Sequence, residues 1–127
     1  MENRQLRIMV IDDEQIVGKR LKSALEKTGD IIETFEDGVK ALERLNNHPF
    51  DIVVTDIRMD EIDGIEILEK VLAKSNQTKV IMITGYATVE MAREALAKGA
   101  FDFIAKPFKP NDLRAIIDKA AKELRKN

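Results

Sequence analysis

Leu6-Arg7-Ile8-Met9-Val10-Ile11-Asp12-Asp13-Glu14 decides how this chain folds. Ile8 to Ile11 are apolar at every position, so a strand here needs cover on both faces. A central strand of a parallel sheet receives that cover from helices above and below. The run then passes without a spacer into three carboxylates. Two later segments repeat the texture: Ile52-Val53-Val54 leads into Thr55-Asp56, and Val80-Ile81-Met82-Ile83 leads into Thr84-Gly85.

Working outward, strands and helices alternate five times. Strands are expected over 6–11, 31–35, 50–55, 79–84 and 101–105. The first helix, 14–28, carries Val17, Leu21, Ala24 and Leu25 on one face and stops at Gly29. Asp37 caps a second helix with Val39, Leu42 and Leu45 inward. A third, 63–75, buries Ile65, Leu68, Val71 and Leu72. Thr88 is read as the cap of a fourth that closes at Gly99, and Pro110 opens the fifth. Strands two and five carry polar interruptions and are therefore edges. The order 2-1-3-4-5 satisfies this with right-handed crossovers. That is an α/β, flavodoxin-like, doubly wound parallel five-stranded sheet of (βα)5 type, in which ligands sit beyond the strands' carboxyl ends where the order reverses.

Composition narrows the chemistry. The 127 residues read as a single domain, 1–127, with 44% hydrophobic residues for a core and 35% charged residues for the surface. Acids number 23 and bases 21, a balance unlike that of a nucleic-acid-binding domain. Absence of cysteine removes disulfides and thiolate chemistry, and His48 alone cannot form a paired-histidine metal site. No apolar run approaches the roughly 18 residues of a membrane span, and residues 1–5 do not resemble a secretory signal. A soluble cytoplasmic domain is the expectation.

The strand ends hold what chemistry remains. Asp12-Asp13-Glu14, Asp56, Thr84 and Lys106 each follow an apolar strand and so gather at one sheet edge. Carboxylates sharing a small site require a counter-charge. With oxygen ligands only, Mg²⁺ is favoured, and Mn²⁺ or Ca²⁺ would also fit. A carboxylate beside such an ion can attack a phosphoryl group, and Thr84 and Lys106 offer a hydroxyl and an ammonium to the product. Taken singly, Asp12 and Asp13 serve equally well as helix caps, and Lys106 as a surface lysine; the conjunction carries the inference.

The acidic pair Asp12-Asp13, the strand-end Asp56, Thr84 and the triplet Lys106-Pro107-Phe108 resemble the receiver domain of bacterial two-component response regulators, from Ile8 to about Lys122. The resemblance implies that Asp56 accepts a phosphoryl group from a sensor histidine kinase. It implies Mg²⁺ held by Asp12, Asp13, Asp56 and the backbone carbonyl of Arg58, with Lys106 and Thr84 on the phosphoryl oxygens and a cis Lys106–Pro107 bond. Thr84 and Phe103 match the family's switch pair. Arg58 and Tyr86 match positions that tune access of water to the phosphoryl group. The output surface would lie on helix 4, strand 5 and helix 5, with Met91, Glu94, Lys98, Asp102, Arg114 and Lys119 as contacts and Asp102–Arg114 suited to a homodimer. The stretch from Thr84 to Glu90 is similar to receivers of enhancer-binding transcription activators. No direct nucleic-acid or membrane contact is expected.

Two features depart from the family. Met59-Asp60-Glu61-Ile62-Asp63-Gly64 replaces a loop that often reads Met-Pro-Gly-Met-Asp-Gly, and Lys109 stands where a Ser, Thr or Asp would cap the last helix better. Two other classes share parts of the pattern. A Mg²⁺-dependent phosphohydrolase with an aspartyl nucleophile would carry a second carboxylate where Arg58 stands. A flavin carrier would carry a phosphate-cradling loop where Asp12-Asp13-Glu14 repels phosphate.

Overall fold

The computed structural model describes residues 5–59, 61–85 and 88–126. In chain order, β1 (Arg7–Ile11), α1 (Gln15–Leu25), β2 (Ile31–Phe35), α2 (Gly38–Asn47), β3 (Ile52–Asp56) and α3 (Gly64–Lys74) are followed by β4 (Lys79–Thr84), α4 (Val89–Ala97), β5 (Asp102–Ala105) and α5 (Pro110–Leu124). All strand pairs are parallel and the order is β2-β1-β3-β4-β5, the flavodoxin-like arrangement expected from strand texture.

Alternation along the central strands builds a core on each face. Ile8, Val10, Ile52, Val54, Ile81 and Ile83 join Leu21 and Leu25 of α1 and Leu113 and Ile117 of α5. Met9, Ile11, Val53, Val80 and Met82 turn the other way, toward Ile67, Leu68 and Val71 of α3 and Ala92 and Ala95 of α4. Every residue of β3 is buried, whereas β2 and β5 are mostly half-buried, as edges should be.

Element ends differ from the sequence expectation for identifiable reasons. The first helix leaves α geometry at Leu25 and tightens into a 3-10 turn over Glu26–Thr28. There the Thr28 hydroxyl donates to the Leu25 carbonyl at 2.9 Å, and Gly29 ends the turn at φ +91°. The third strand starts at Ile52 rather than Phe50, whose carbonyl accepts from the Thr78 hydroxyl at 2.8 Å. Asp37 does cap α2, accepting from Val39 N at 2.7 Å and Lys40 N at 3.2 Å. The weak cap expected at Lys109 is relieved from the first turn of α5, where Asp112 accepts from Lys109 N at 3.0 Å behind Pro110.

Register positions the site. Ile11 pairs with Thr55, so the next residues, Asp12 and Asp56, emerge side by side from neighbouring strands. Asp56 pairs with Ile83, and Thr84 with Ala105, so Thr84 and Lys106 follow on the same edge. Behind Asp56 the loop to α3 folds tightly, with Gly64 N donating to Ile57 O at 2.7 Å. A Cβ on Gly64 would stand 2.5 Å from the Asp56 carbonyl oxygen, so only glycine permits this approach.

Glu61 is the non-glycine residue with positive φ, +66°, among the described residues. It occupies the position where the resembled family often carries glycine, and a left-handed L-residue costs roughly 1–2 kcal/mol. Glu61→Gly should therefore raise stability by about 0.5–1 kcal/mol, once the greater unfolded-state freedom of glycine is deducted. Urea denaturation measures this; an unchanged or lowered midpoint would contradict the strain.

Candidate functional site

Asp12 and Asp56 are 1% and 8% exposed, while Asp13 faces solvent. Oxygens of Asp12, Asp13 and Asp56 lie within 4.8 Å of one another. Lys106, carried to the same edge by the end of β5, places Nζ 3.0 Å from Asp56 Oδ2 and 3.4 Å from Asp12 Oδ2. Its backbone N–H donates to Thr84 O at 2.8 Å, which fastens the end of β5 to the end of β4. The Lys106–Pro107 bond is cis, as expected.

Within this group Asp12 Oδ1 accepts from Glu14 N at 2.8 Å, but Oδ2 is buried with no hydrogen-bond partner. Burial pushes the Asp12 carboxyl above its usual range, against the lowering effects of the Glu14 N–H and Lys106, and the Asp56 charge adds to the rise. Asp56 is raised by the same cause, opposed by Lys106 and assisted by Asp13. Burial would lower Lys106, yet its contacts with Glu14, Asp56 and Asp12 outweigh it and hold the ammonium protonated. One ammonium thus faces three aspartates and a glutamate. Such a site is under-neutralised, and an oxygen-only donor set with an orphaned buried oxygen fits a hard divalent cation.

Two contacts were missed from the sequence. Glu14 Oε1 takes Lys106 Nζ at 2.8 Å, across a separation of 92 residues that no local pattern announces. Thr88, expected to cap α4, makes no capping hydrogen bond. Its Oγ1 lies 2.5 Å from Thr84 Oγ1 and accepts from Gly85 N at 2.9 Å. The Thr84 hydroxyl, expected at the phosphoryl position, is thus engaged inside the β4–α4 turn. A repeated threonine four positions on, across a turn, was the available signal.

Other expected positions sort as follows. Phe103 is half-buried and packs on the core face that includes Met9 and Met82. Arg58 is exposed, and Tyr86 lies outside the described residues. Arg114, expected among the output contacts, is half-buried, and its guanidinium donates to the Ala24 carbonyl of α1. The last carbonyls of a helix lack intrahelical donors, and Arg114 supplies one across the α1–α5 contact. Lys98 turns toward α3, pairing with Glu69 at 2.8 Å. A cavity of about 600 Å³ between α2 and α3, lined by Leu45, Phe50 and Val71, lies at the opposite edge of the sheet.

The sheet order and the acidic switch point define a flavodoxin-like α/β module with an oxygen-lined site at the carboxyl ends of its strands. The chain belongs to the response regulator receiver domain family, whose model, "Response regulator receiver domain", matches residues 8–118. Receiver domains are the phosphorylation switches of two-component response regulators. The chain is 41% identical over 115 residues to Regulatory protein AtoC of Escherichia coli (strain K12), covering 90% of this chain and 25% of AtoC. It is 35% identical to Transcriptional regulatory protein FixJ of Bradyrhizobium diazoefficiens, over 91% of this chain and 57% of FixJ. Similarity to Chemotaxis protein CheY of Listeria monocytogenes is 33%, over 92% of this chain and 99% of that protein. The crystal structure of a CheY-like receiver domain protein from Methanospirillum hungatei superposes with a TM-score of 0.90 at 32% identity, covering 96% and 98% of the two chains. The chain therefore spans a quarter of AtoC and a little over half of FixJ. Among the described residues no helix is long and apolar enough to cross a membrane.

A raised folded-state carboxyl pKa means that the native state binds more protons than the unfolded state, so the Asp56 charge disfavours folding above that pKa. Without divalent cation, Asp56→Asn should be more stable than wild type at pH 7. The advantage should vanish as pH falls below about 4, where Asp is protonated in both states. Melting in EDTA across this range tests the sign; a gap that widens toward acid pH would refute it.

Proposed function

We propose that Asp56 is the phosphoryl acceptor of this receiver and that Asp12, Asp13, Asp56 and the Arg58 carbonyl hold Mg²⁺, with Mn²⁺ a workable substitute. The observation that carries the reading is the buried Asp12 Oδ2 beside Asp13 and Asp56, which has no hydrogen-bond partner and only a 3.4 Å ion-pair contact with Lys106. When bound, the cation neutralises the carboxylates and the incoming phosphoryl oxygens. An Asp56 carboxylate oxygen attacks phosphorus, the phosphorus–nitrogen bond to the donor histidine breaks, and the imidazole leaves with the electron pair. Lys106, 3.0 Å from Asp56, holds its proton throughout and supplies a fixed positive charge to the phosphoryl oxygens. Thr84 then donates its hydroxyl to the same oxygens, and Phe103 moves with it. Arg58 and Tyr86 set how readily water reaches the product.

A histidine kinase is the proposed donor. The surface beside the site supports a protein partner: Ile16, in the first turn of α1, is 69% exposed. A cleft of about 250 Å³ lined by Val17, Leu21, Pro107 and Phe108 adjoins Lys106. Residues 1–127 form one receiver unit in this reading, acting in the cytoplasm and catalysing at most its own phosphorylation and dephosphorylation. Its α4–β5–α5 surface addresses an output domain or a second copy through Met91, Glu94, Asp102 and Lys119. Similarity to transcriptional regulatory proteins supports an output in transcription.

Mass spectrometry after incubation with acetyl phosphate and Mg²⁺ should find one phosphoryl addition, absent in Asp56→Asn and absent when EDTA replaces Mg²⁺. An adduct that persists in Asp56→Asn would remove the assignment. Glu14→Gln should raise the rate of modification by acetyl phosphate roughly threefold, since it frees Lys106 and removes a negative charge facing an anionic donor. A slower reaction would mean that Glu14 holds Lys106 in its working position.

A further inference from the structure

We propose that Thr88 is the positioning residue that holds Thr84 in its resting place, so that the Thr84–Thr88 hydroxyl pair is where the state of Asp56 reaches α4. The inference rests on the receiver reading above and assigns a regulation to that same site. Thr84 ends β4 and Thr88 immediately precedes α4, and they are 0% and 4% exposed. Their hydroxyl oxygens are 2.5 Å apart, Gly85 N donates to Thr88 Oγ1 at 2.9 Å, and Gly85 O stands 3.1 Å from Thr84 Oγ1 and 3.2 Å from Thr88 Oγ1.

Counting protons closes this network. Four are available, on Gly85 N, Thr88 N and the two hydroxyls, and the turn contains three acceptors: the two hydroxyl oxygens and Gly85 O, whose two lone pairs take Thr88 N at 3.1 Å and one hydroxyl. The Gly85 proton goes to Thr88. Either Thr84 donates to Gly85 O and Thr88 to Thr84, or Thr84 donates to Thr88 and Thr88 to Gly85 O. In both arrangements the Thr84 proton is consumed inside the turn and none is offered toward Asp56.

A phosphoryl oxygen is a charged acceptor and outcompetes a neutral hydroxyl or carbonyl for the Thr84 proton. Thr84 reaches it only by leaving Thr88, which retains Gly85 N and Gly85 O as partners. The exchange gives up one neutral hydrogen bond, enough to bias the resting turn roughly two- to tenfold. Since Thr88 makes no capping hydrogen bond to α4, its hydroxyl serves the turn rather than the helix. Release of Thr84 therefore removes a tether between the end of β4 and the first turn of α4.

The test uses the whole chain with acetyl phosphate and Mg²⁺, reading the steady-state ratio of modified to unmodified protein on a phosphate-affinity gel. Thr88→Val keeps the branched shape without the hydroxyl and should raise the ratio about fivefold. Thr88→Ser should restore the wild-type value. Thr84→Val combined with Thr88→Val should match Thr84→Val alone. An unchanged ratio in Thr88→Val overturns the proposal, as does an equal gain in the Thr84→Val background. A wild-type chain that takes no adduct overturns the receiver reading instead. The resting pair is then read directly: amide exchange at Gly85 should quicken in Thr88→Val, and wild-type protection there would overturn the pair.

Discussion

Two carboxylates emerge side by side, nearly buried, from the ends of the central strand and its neighbour β1, and a single ammonium stands between them. Ile11 pairs with Thr55, so the register that packs β1 against β3 also forces Asp12 next to Asp56. Burial raises both carboxyl groups, and Lys106 offsets only part of that penalty. Repulsion among like charges in a dry site makes the edge receptive to cations and to a phosphoryl group that brings its own counter-ion. The fold must tolerate this electrostatic penalty, and it does so because the rest of both strands is deeply packed.

That tolerance separates a rigid scaffold from movable parts. The six central-strand residues of one core face and the five of the other are sealed by helices from both sides. Around the site the contacts are of another kind: an exposed Glu14 on Lys106, a left-handed Glu61 in the β3–α3 loop and a closed threonine network before α4. Each is a local interaction of modest strength, worth far less than the packing beneath it. A switch needs this division, since a phosphoryl group can rearrange single hydrogen bonds but not a core.

Much of this was legible before any coordinates. Strand texture distinguished the buried central strands from the edges, and Asp37, Gly29 and Pro110 marked element ends through local chemistry. Misreadings arose where a side chain found a distant partner. Thr88 looked like a cap because helix starts favour threonine, but the Thr84 hydroxyl lies closer to it than the free N–H groups of α4. Arg114 looked like an exposed interface charge, yet the unsatisfied end of α1 drew it inward. At Lys109, by contrast, the compensation expected from the first turn is present, with Asp112 accepting from Lys109 N.

By itself the sequence determined the α/β alternation, the strand order and the residue types at the active edge. Those depend on hydrophobic periodicity and on side chains following directly after strands, both local properties of the chain. Only the tertiary structure decided that Glu14 holds Lys106, that Thr84 rests against Thr88, and that Asp12 keeps one oxygen without a hydrogen-bond partner. These depend on which polar groups become neighbours after the strands align, and on how much water remains to satisfy them. Neither is encoded in spacing along the chain.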